Sequence, residues 1–239
     1  MNAALVGYGK MGREIGRLLE ERGHTVVLIV DENNPGDLDT ENLREKQVDV
    51  AFEFTTPETA FTNICRCLEA GVAVVSGTTG WLDRMDEVRA LCEKLGGAFF
   101  YASNFSVGMN VFFCVNKALA RMMDGFPEYD VAIEEIHHIH KKDAPSGTAI
   151  TLAEQVVDAT ERKTGWVLGE GGGEEIGITA LREGEVPGTH TVEWDSPIDT
   201  ITITHQAKNR RGLAQGAVMA GEFVAGKTGI YTMSDLLGL

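Results

Sequence analysis

The sequence is short of positive charge, of cysteine and of long apolar runs, and each shortage removes a class of function. Lysine and arginine number 21 against 36 aspartates and glutamates, giving a formal net charge of −15. No long basic run offsets this, so neither a nucleic acid nor an anionic membrane is the expected partner. No apolar stretch approaches the ~20 residues that cross a bilayer. The chain enters a strand pattern without a charged leader or cleavage site, and a cytoplasmic location is expected. The four cysteines, Cys65, Cys67, Cys92 and Cys114, fall in helix-patterned segments, and Cys65-x-Cys67 fits neither a redox CxxC pair nor a zinc knuckle. They read as reduced, core-filling side chains. Repeats and low-complexity tracts are also absent. With 43% hydrophobic and 24% charged residues among 239, the chain has an ordinary globular composition, and its partner is expected to be small.

What is present begins with a glycine pattern. Ala3 to Val6 is a short apolar strand, and Gly7-Tyr8-Gly9-Lys10-Met11-Gly12 follows at once, with Ile15, Leu18 and Leu19 continuing at helical spacing. GxGxxG is here in the setting it requires: glycine closes the turn, lets a pyrophosphate reach the backbone, and lets helix and strand pack closely. Thr25 to Val30 reads as a second strand, and Asp31 stands 19 residues beyond Gly12. About 20 is the spacing of an acid that accepts hydrogen bonds from a ribose 2′-hydroxyl. A 2′-phosphate would be repelled by Asp31, and its neighbours Glu32, Asn33 and Asn34 offer no arginine to hold one. NADH is therefore the expected cofactor and NADPH the weaker alternative.

Val48 to Phe54, Val72 to Ser76 and Ala98 to Ala102 continue as strands, with helices at Pro57 to Glu69 and Asp83 to Leu95. This alternation predicts a Rossmann-type, doubly wound parallel sheet. Ligands of such sheets bind at the carboxyl ends of the strands, where Phe54-Thr55-Thr56-Pro57, Gly77-Thr78-Thr79-Gly80 and Ser103-Asn104-Phe105-Ser106 fall. Turn chemistry alone would also favour these residue types. Past Asn104 the pattern changes to a helix over Val107 to Met123, a strand over Tyr129 to Ile136, and strands at Ile176 to Leu181, Thr189 to Trp194 and Thr200 to His205. We expect an α+β domain with an open mixed sheet, helices on one face only, and oligomerisation through the other. A last amphipathic helix, Gly212 to Ala225, and a closing strand would return to the first domain. The expected boundaries are a dinucleotide-binding domain over 1–105, a substrate-binding and oligomerisation domain over 106–209, and the return over 210–239.

Glu134 to Ile150, EEIHHIHKKDAPSGTAI, holds three of the six histidines. With Lys141 and Lys142 they form a positive island in an acidic chain, suited to a small anion. Pro145 blocks an earlier helix start, Ser146 can cap, and the free N–H groups from Gly147 onward, with Thr148, form a cradle for a carboxylate or phosphate. A capped surface helix after a polar loop is the plain alternative. Ile150, Ala153 and Val157, with Leu152 and Val156 beside them, give that helix an apolar face. A histidine at a strand end beside an anion site is a natural proton donor. His137 and His138 would point to opposite faces and no acid or cysteine stands at zinc spacing, so no metal is expected.

The glycine turn, GTTG at Gly77 to Gly80, SNFSVGMN at Ser103 to Asn110 and above all EEIHHIHKKDAPSGTA resemble the dihydrodipicolinate reductase (4-hydroxy-tetrahydrodipicolinate reductase) family. The likeness runs in order to the closing Tyr231-Thr232-Met233-Ser234-Asp235-Leu236-Leu237. It implies a homotetramer of lysine and diaminopimelate biosynthesis that reduces a cyclic imine dicarboxylate with hydride from a nicotinamide. It also implies His137 as the general acid, Lys141 as partner of a substrate carboxylate and of the acid step, and His138, Ser146, Gly147 and Thr148 as substrate contacts. Gly7, Gly9, Lys10, Met11, Gly12 and Asp31 would hold the dinucleotide; Thr55, Gly77, Thr78, Thr79, Ser103, Asn104 and Phe105 would flank the nicotinamide, and Arg210 would reach the cofactor. Lys10 replaces the family's usual arginine and loses its bidentate fork. Ile139 replaces an arginine that commonly splits the histidines, and the loop after Asp31 is shorter than in many relatives. A semialdehyde dehydrogenase would need a nucleophilic cysteine at the sheet edge, where Asn104 is followed by Phe105. A non-catalytic NAD-binding sensor on the same fold would have no need of His137 and Lys141.

Overall fold

The computed structural model describes residues 1–209 and 211–239. The chain forms two compact units, Met1–Val107 with Arg211–Leu239, and Gly108–Arg210. In the first, β1 (Asn2–Val6), β2 (Thr25–Val30), β3 (Val50–Glu53), β4 (Ala73–Ser76), β5 (Ala98–Tyr101) and β11 (Gly229–Tyr231) make one sheet in the order β11-β5-β4-β3-β1-β2. Every pairing is parallel. Such a sheet needs cover on both faces, and the sequence supplies it by filling β3 and β4 with wholly buried residues. Leu5, Phe52 and Phe100 pack on one face with Ile15 and Leu19 of α1 (Lys10–Glu21) and Ala217 and Val218 of α7 (Arg211–Val224). Val6, Val74 and Phe99 pack on the other with Ile64, Cys67 and Leu68 of α3 (Pro57–Glu69) and Val88 and Cys92 of α4 (Met85–Leu95). Burial pushes the Cys67 thiol up to about 12, the chemistry of a core filler. A short helix α2 (Thr40–Glu45) was not legible: its cap is Asp39, accepting from Asn42 N at 2.9 Å, and Leu43 is its one buried residue.

The second unit is a five-stranded sheet in the order β10-β9-β6-β8-β7. β6 (Asp130–His137) runs parallel to β8 (Glu175–Arg182) and antiparallel to β9 (Thr189–Asp195), with β10 (Thr200–Gln206) beyond β9 and β7 (Gly165–Leu168) beyond β8. Val131, Ile133, Ile178, Val192 and Trp194 face Phe112 of α5 (Val107–Met123) and Leu152, Ala153 and Val156 of α6 (Gly147–Ala159). The buried face of α6 is turned from the expected one: Ala149 and Gln155 are buried, whereas Ile150 and Val157 lie at its margin. On the opposite face of the sheet Ala132, Glu134, Thr179, Glu193, Thr202 and Thr204 are exposed. The four-residue β7 was not expected, being too short to show a period; the parallel ladder to β8 and the packing of Trp166 on the core hold it. An α6 that is preceded by a histidine-ended β6 is the feature that places the chemistry below.

Gly216 shows how closely α7 lies in the first unit, since a Cβ there would stand 1.8 Å from the Phe105 carbonyl oxygen. Gly216→Ala should cost about 1–3 kcal/mol, the usual penalty of overpacking, read from the urea midpoint. Gly212→Ala, where the nearest atom is 4.0 Å away, is the control. Equal midpoints for the two variants would show that α7 can shift without penalty.

Candidate active site

In the first unit the glycine turn is forced by contacts. Gly7 has φ +96, and a Cβ there would lie 2.1 Å from the Phe54 carbonyl oxygen; one at Gly12 would lie 2.0 Å from the Gly7 carbonyl oxygen. Gly9 meets nothing within 4 Å and caps α1 without a side-chain bond, so backbone N–H groups of the first helical turn are open to a ligand. Asp31 follows β2 and is ordered by its loop: Oδ1 accepts from Asn33 N at 2.8 Å and Asn33 Nδ2 at 3.1 Å. A cleft of about 730 Å³ joins Gly7, Gly9, Asp31, Glu32, Thr55 and Asn63, dimensions and donors that suit the adenosine end of a dinucleotide. The same cleft is lined by Arg13 of α1 and Arg66 of α3. The residues next to Asp31 in sequence offer no arginine, and these two reach the cleft from helices elsewhere in the chain. Arg13 is held by Tyr8, donating from Nε to its carbonyl at 3.2 Å with the guanidinium 4.9 Å from the ring centroid. Lys10 is exposed, and Met11 packs partly against the core.

The loops after β3, β4 and β5 leave adjacent parallel strands at their carboxyl ends, on one side of the sheet's interior strands. Thr79 and Ser103 are exposed; Thr55, Gly77 and Asn104 are half-buried. Thr78 and Phe105 are buried instead, at 6% and 2%. Thr78 is tied inward to Glu53 and Trp81, and Phe105 stacks on Phe100 at 5.8 Å and tilts against Phe54 at 5.6 Å. Arg210 lies outside the described residues.

In the second unit, strand alternation puts Val131, Ile133, Glu135 and His137 on the buried face of β6. Glu135 is fully buried, and its Oε1 accepts from Ser146 N at 3.0 Å and Arg182 Nη2 at 3.1 Å. Its Oε2 is 2.7 Å from His137 Nδ1. Burial raises the Glu135 carboxyl, but bonds from His137, Ser146 and Arg182 outweigh it and hold the group at about 2. His190 on β9 is the cross-strand partner of Glu135, with its ring centroid 5.1 Å from that of His137. Burial first, and then the nearby His137, lower His190 to about 4, so it is neutral near pH 7. The remaining His137 nitrogen, Nε2, lies beside Gly188, where a Cβ would come within 3.0 Å.

Ser146 caps α6 as expected, its Oγ accepting from Ala149 N at 3.2 Å. It is 2% exposed, and its own N–H is spent on Glu135, so donors for an anion start at Gly147. Gly147 is exposed and Thr148 half-buried. Lys141 Nζ contacts both Asp143 oxygens, at 2.7 and 2.8 Å. Arg182 ties the loop down by donating to the carbonyls of Lys141 and Asp143. His138 is half-buried, its ring centroid 6.0 Å from that of His140, which pairs with Glu185 at the surface.

Comparison with known proteins decides the assignment. Residues 1–105 match the model described as "Dihydrodipicolinate reductase, N-terminus" and residues 108–237 the one described as "Dihydrodipicolinate reductase, C-terminus". The chain belongs to the dihydrodipicolinate reductase family. A relative from Christiangramia forsetii, named 4-hydroxy-tetrahydrodipicolinate reductase, is 51% identical over 237 residues, covering 99% of this chain and 98% of its own. One of the same name from Methanoculleus marisnigri is 36% identical, covering 97% and 96%. A solved dihydrodipicolinate reductase from Paenisporosarcina sp. TG-14, with dipicolinate bound, shares the fold at a TM-score of 0.78 and 24% identity over 97% of both chains.

Sequence reasoning about this reductase missed Glu135, His190 and Arg182. A carboxylate on the apolar side of β6 was a visible signal for the first; the other two depend on sheet register. Glu135, His137 and His190 also bring three ligand atoms within 4.8 Å, a grouping that spacing along the chain did not reveal. With Arg182 and the Ser146 amide already on Glu135, the donor set is a charge network rather than a divalent-ion cage.

Stability should fall as pH drops from about 6.5 to about 4, because unfolded chains protonate His190 and native ones do not. A further loss follows from about 4.5 toward about 2, as the depressed Glu135 carboxylate is protonated last in the native protein. Urea midpoints across pH should show both, and His190→Gln should flatten the upper window; an unflattened slope would assign it elsewhere.

Proposed function

We propose that this reductase of lysine biosynthesis acts on 4-hydroxy-tetrahydrodipicolinate with His137 as proton donor, and that it uses NADH in preference to NADPH. The observation that carries the acid assignment is the buried carboxylate 2.7 Å from His137 Nδ1. The close approach of Nδ1 to this carboxylate orients the ring and leaves Nε2 as the nitrogen that gives up a proton. The nicotinamide, when bound, supplies hydride to the ring carbon from which the substrate hydroxyl departs. The first unit's turn at Gly7 to Gly12 and its Asp31 bind and orient that cofactor, while the second unit binds the dianion and supplies the proton.

Two groups recognise the dicarboxylate in this reading. One is the N-terminus of α6 from Gly147 onward, whose amides favour a carboxylate. The other is Lys141. Its pair with Asp143 is partly exposed, at 22% and 58%, and such pairs are worth about 0–1 kcal/mol, so a substrate carboxylate can replace Asp143 at little cost. Asp31 supports the NADH preference, and Arg13 and Arg66 in the same cleft support residual use of NADPH. The uncovered face of the second sheet supports a homotetramer.

The decisive assay follows nicotinamide oxidation with the unstable substrate generated in place from pyruvate and aspartate semialdehyde by the preceding synthase. Turnover should require the synthase and be faster with NADH; turnover without it, or none with either cofactor, would overturn the reading. His137→Gln should lower kcat by about 10²- to 10⁴-fold with NADH affinity nearly unchanged, and an unchanged kcat would reassign the acid. Light scattering at assay concentration should give four times the 25.9 kDa chain mass; a monomer would remove the tetramer.

A further inference from the structure

Glu53 is a second fully buried carboxylate, and the proton chemistry above makes no use of it. It ends β3, and among the described residues no cationic side chain pairs with it. Four donors satisfy it instead: Thr55 N at 3.2 Å, the Thr55 hydroxyl, Ser76 Oγ at 2.7 Å and Thr78 Oγ1 at 2.9 Å. Thr55 N also donates to Thr78 Oγ1 at 2.8 Å, so the loops after β3 and β4 are joined twice. Burial raises the Glu53 carboxyl, against the bonds from Thr55, Ser76 and Thr78.

The residue between Glu53 and Thr55 extends the connection. A Cβ on Gly7 would strike the Phe54 carbonyl at 2.1 Å, and a Cβ on Gly77 would strike the Phe54 ring at 2.2 Å. Both glycines therefore rest on Phe54, one on its backbone and one on its side chain. Glu53-Phe54-Thr55 underlies both the turn at Gly7 and the turn at Gly77.

We propose that Glu53 is a positioning residue for the dinucleotide: it fixes the loops at Thr55 and Thr78, and through Phe54 the glycine turns, in the geometry that receives the cofactor. The inference rests on reading the first unit as the dinucleotide site. A buried charge with several donors is costly to disturb, because each donor left unmatched adds its own desolvation penalty. Sequence offered little notice of it, since an acid at a strand end reads as an ordinary boundary residue.

Glu53→Gln keeps the shape but sets an amide N–H₂ against hydroxyl and amide donors. It should weaken NADH binding, read by quenching of intrinsic fluorescence, about tenfold or more, and raise the KM for NADH similarly while the KM for the dicarboxylate stays within about twofold. The deuterium isotope effect with 4-deuterated NADH should rise as hydride transfer becomes limiting. Thr78→Val, which cuts the link without removing the charge, should reproduce the pattern even where Glu53→Gln folds poorly. A folded Glu53→Gln or Thr78→Val protein with wild-type NADH affinity and isotope effect overturns the proposal. Wild-type protein that binds no NADH would instead sink the dinucleotide reading itself.

Discussion

A charge removed from water organises the second unit. Burying a carboxylate costs several kcal/mol even after relaxation, and the cost is recovered only if every lone pair finds a donor. Glu135 is held by three groups from three parts of the chain: the amide of Ser146 at the start of α6 and Arg182 at the end of β8 donate to Oε1, and His137, two residues on, brings Nδ1 within 2.7 Å of Oε2. Each partner is then committed to something else. His137 is turned so that Nε2 is free, Ser146 sets where the helix begins, and Arg182 holds the carbonyls of Lys141 and Asp143. His137, the start of α6 and the lysine loop thus share one electrostatic origin.

The arrangement also explains how an acidic protein serves a dianionic substrate. Net charge of −15 would repel a dicarboxylate at long range. Around the start of α6 the groups are of the other sign or neutral: Lys141, Arg182, helix N–H groups and a neutral His190, with the buried Glu135 matched by Arg182 and the Ser146 amide. Asp143 occupies Lys141 in a partly exposed pair.

The parallel sheet was legible because its strands are apolar on both faces and its helices periodic; β2, α3 and α5 fall at the expected bounds. Elements held by one contact surface or one cap, β7 and α2, carry too little pattern to be read. Features carried by contiguous motifs were legible: the close-packed turn from Gly7 to Gly12 and the Ser146 cap. Those joined by register were not. His190 meets Glu135 only because β9 pairs antiparallel with β6, and Arg13 and Arg66 meet Asp31's cleft only because two helices flank one groove. Phe105 and Thr78 add a detail that the motif did not carry: both turn their side chains into the core.

Shared use of one carboxylate has a consequence for how this protein tolerates change. Removing Arg182 alone, or the histidine alone, leaves Glu135 with unmatched charge, whereas replacing the cluster by a matched neutral set removes the charge together with its partners. Substitutions at 135, 137, 182 and 190 should therefore combine non-additively, because sites in one hydrogen-bonded network couple by about 0.5–3 kcal/mol. The route between two workable versions of this cluster passes through less stable intermediates, so drift at these positions is confined to correlated steps.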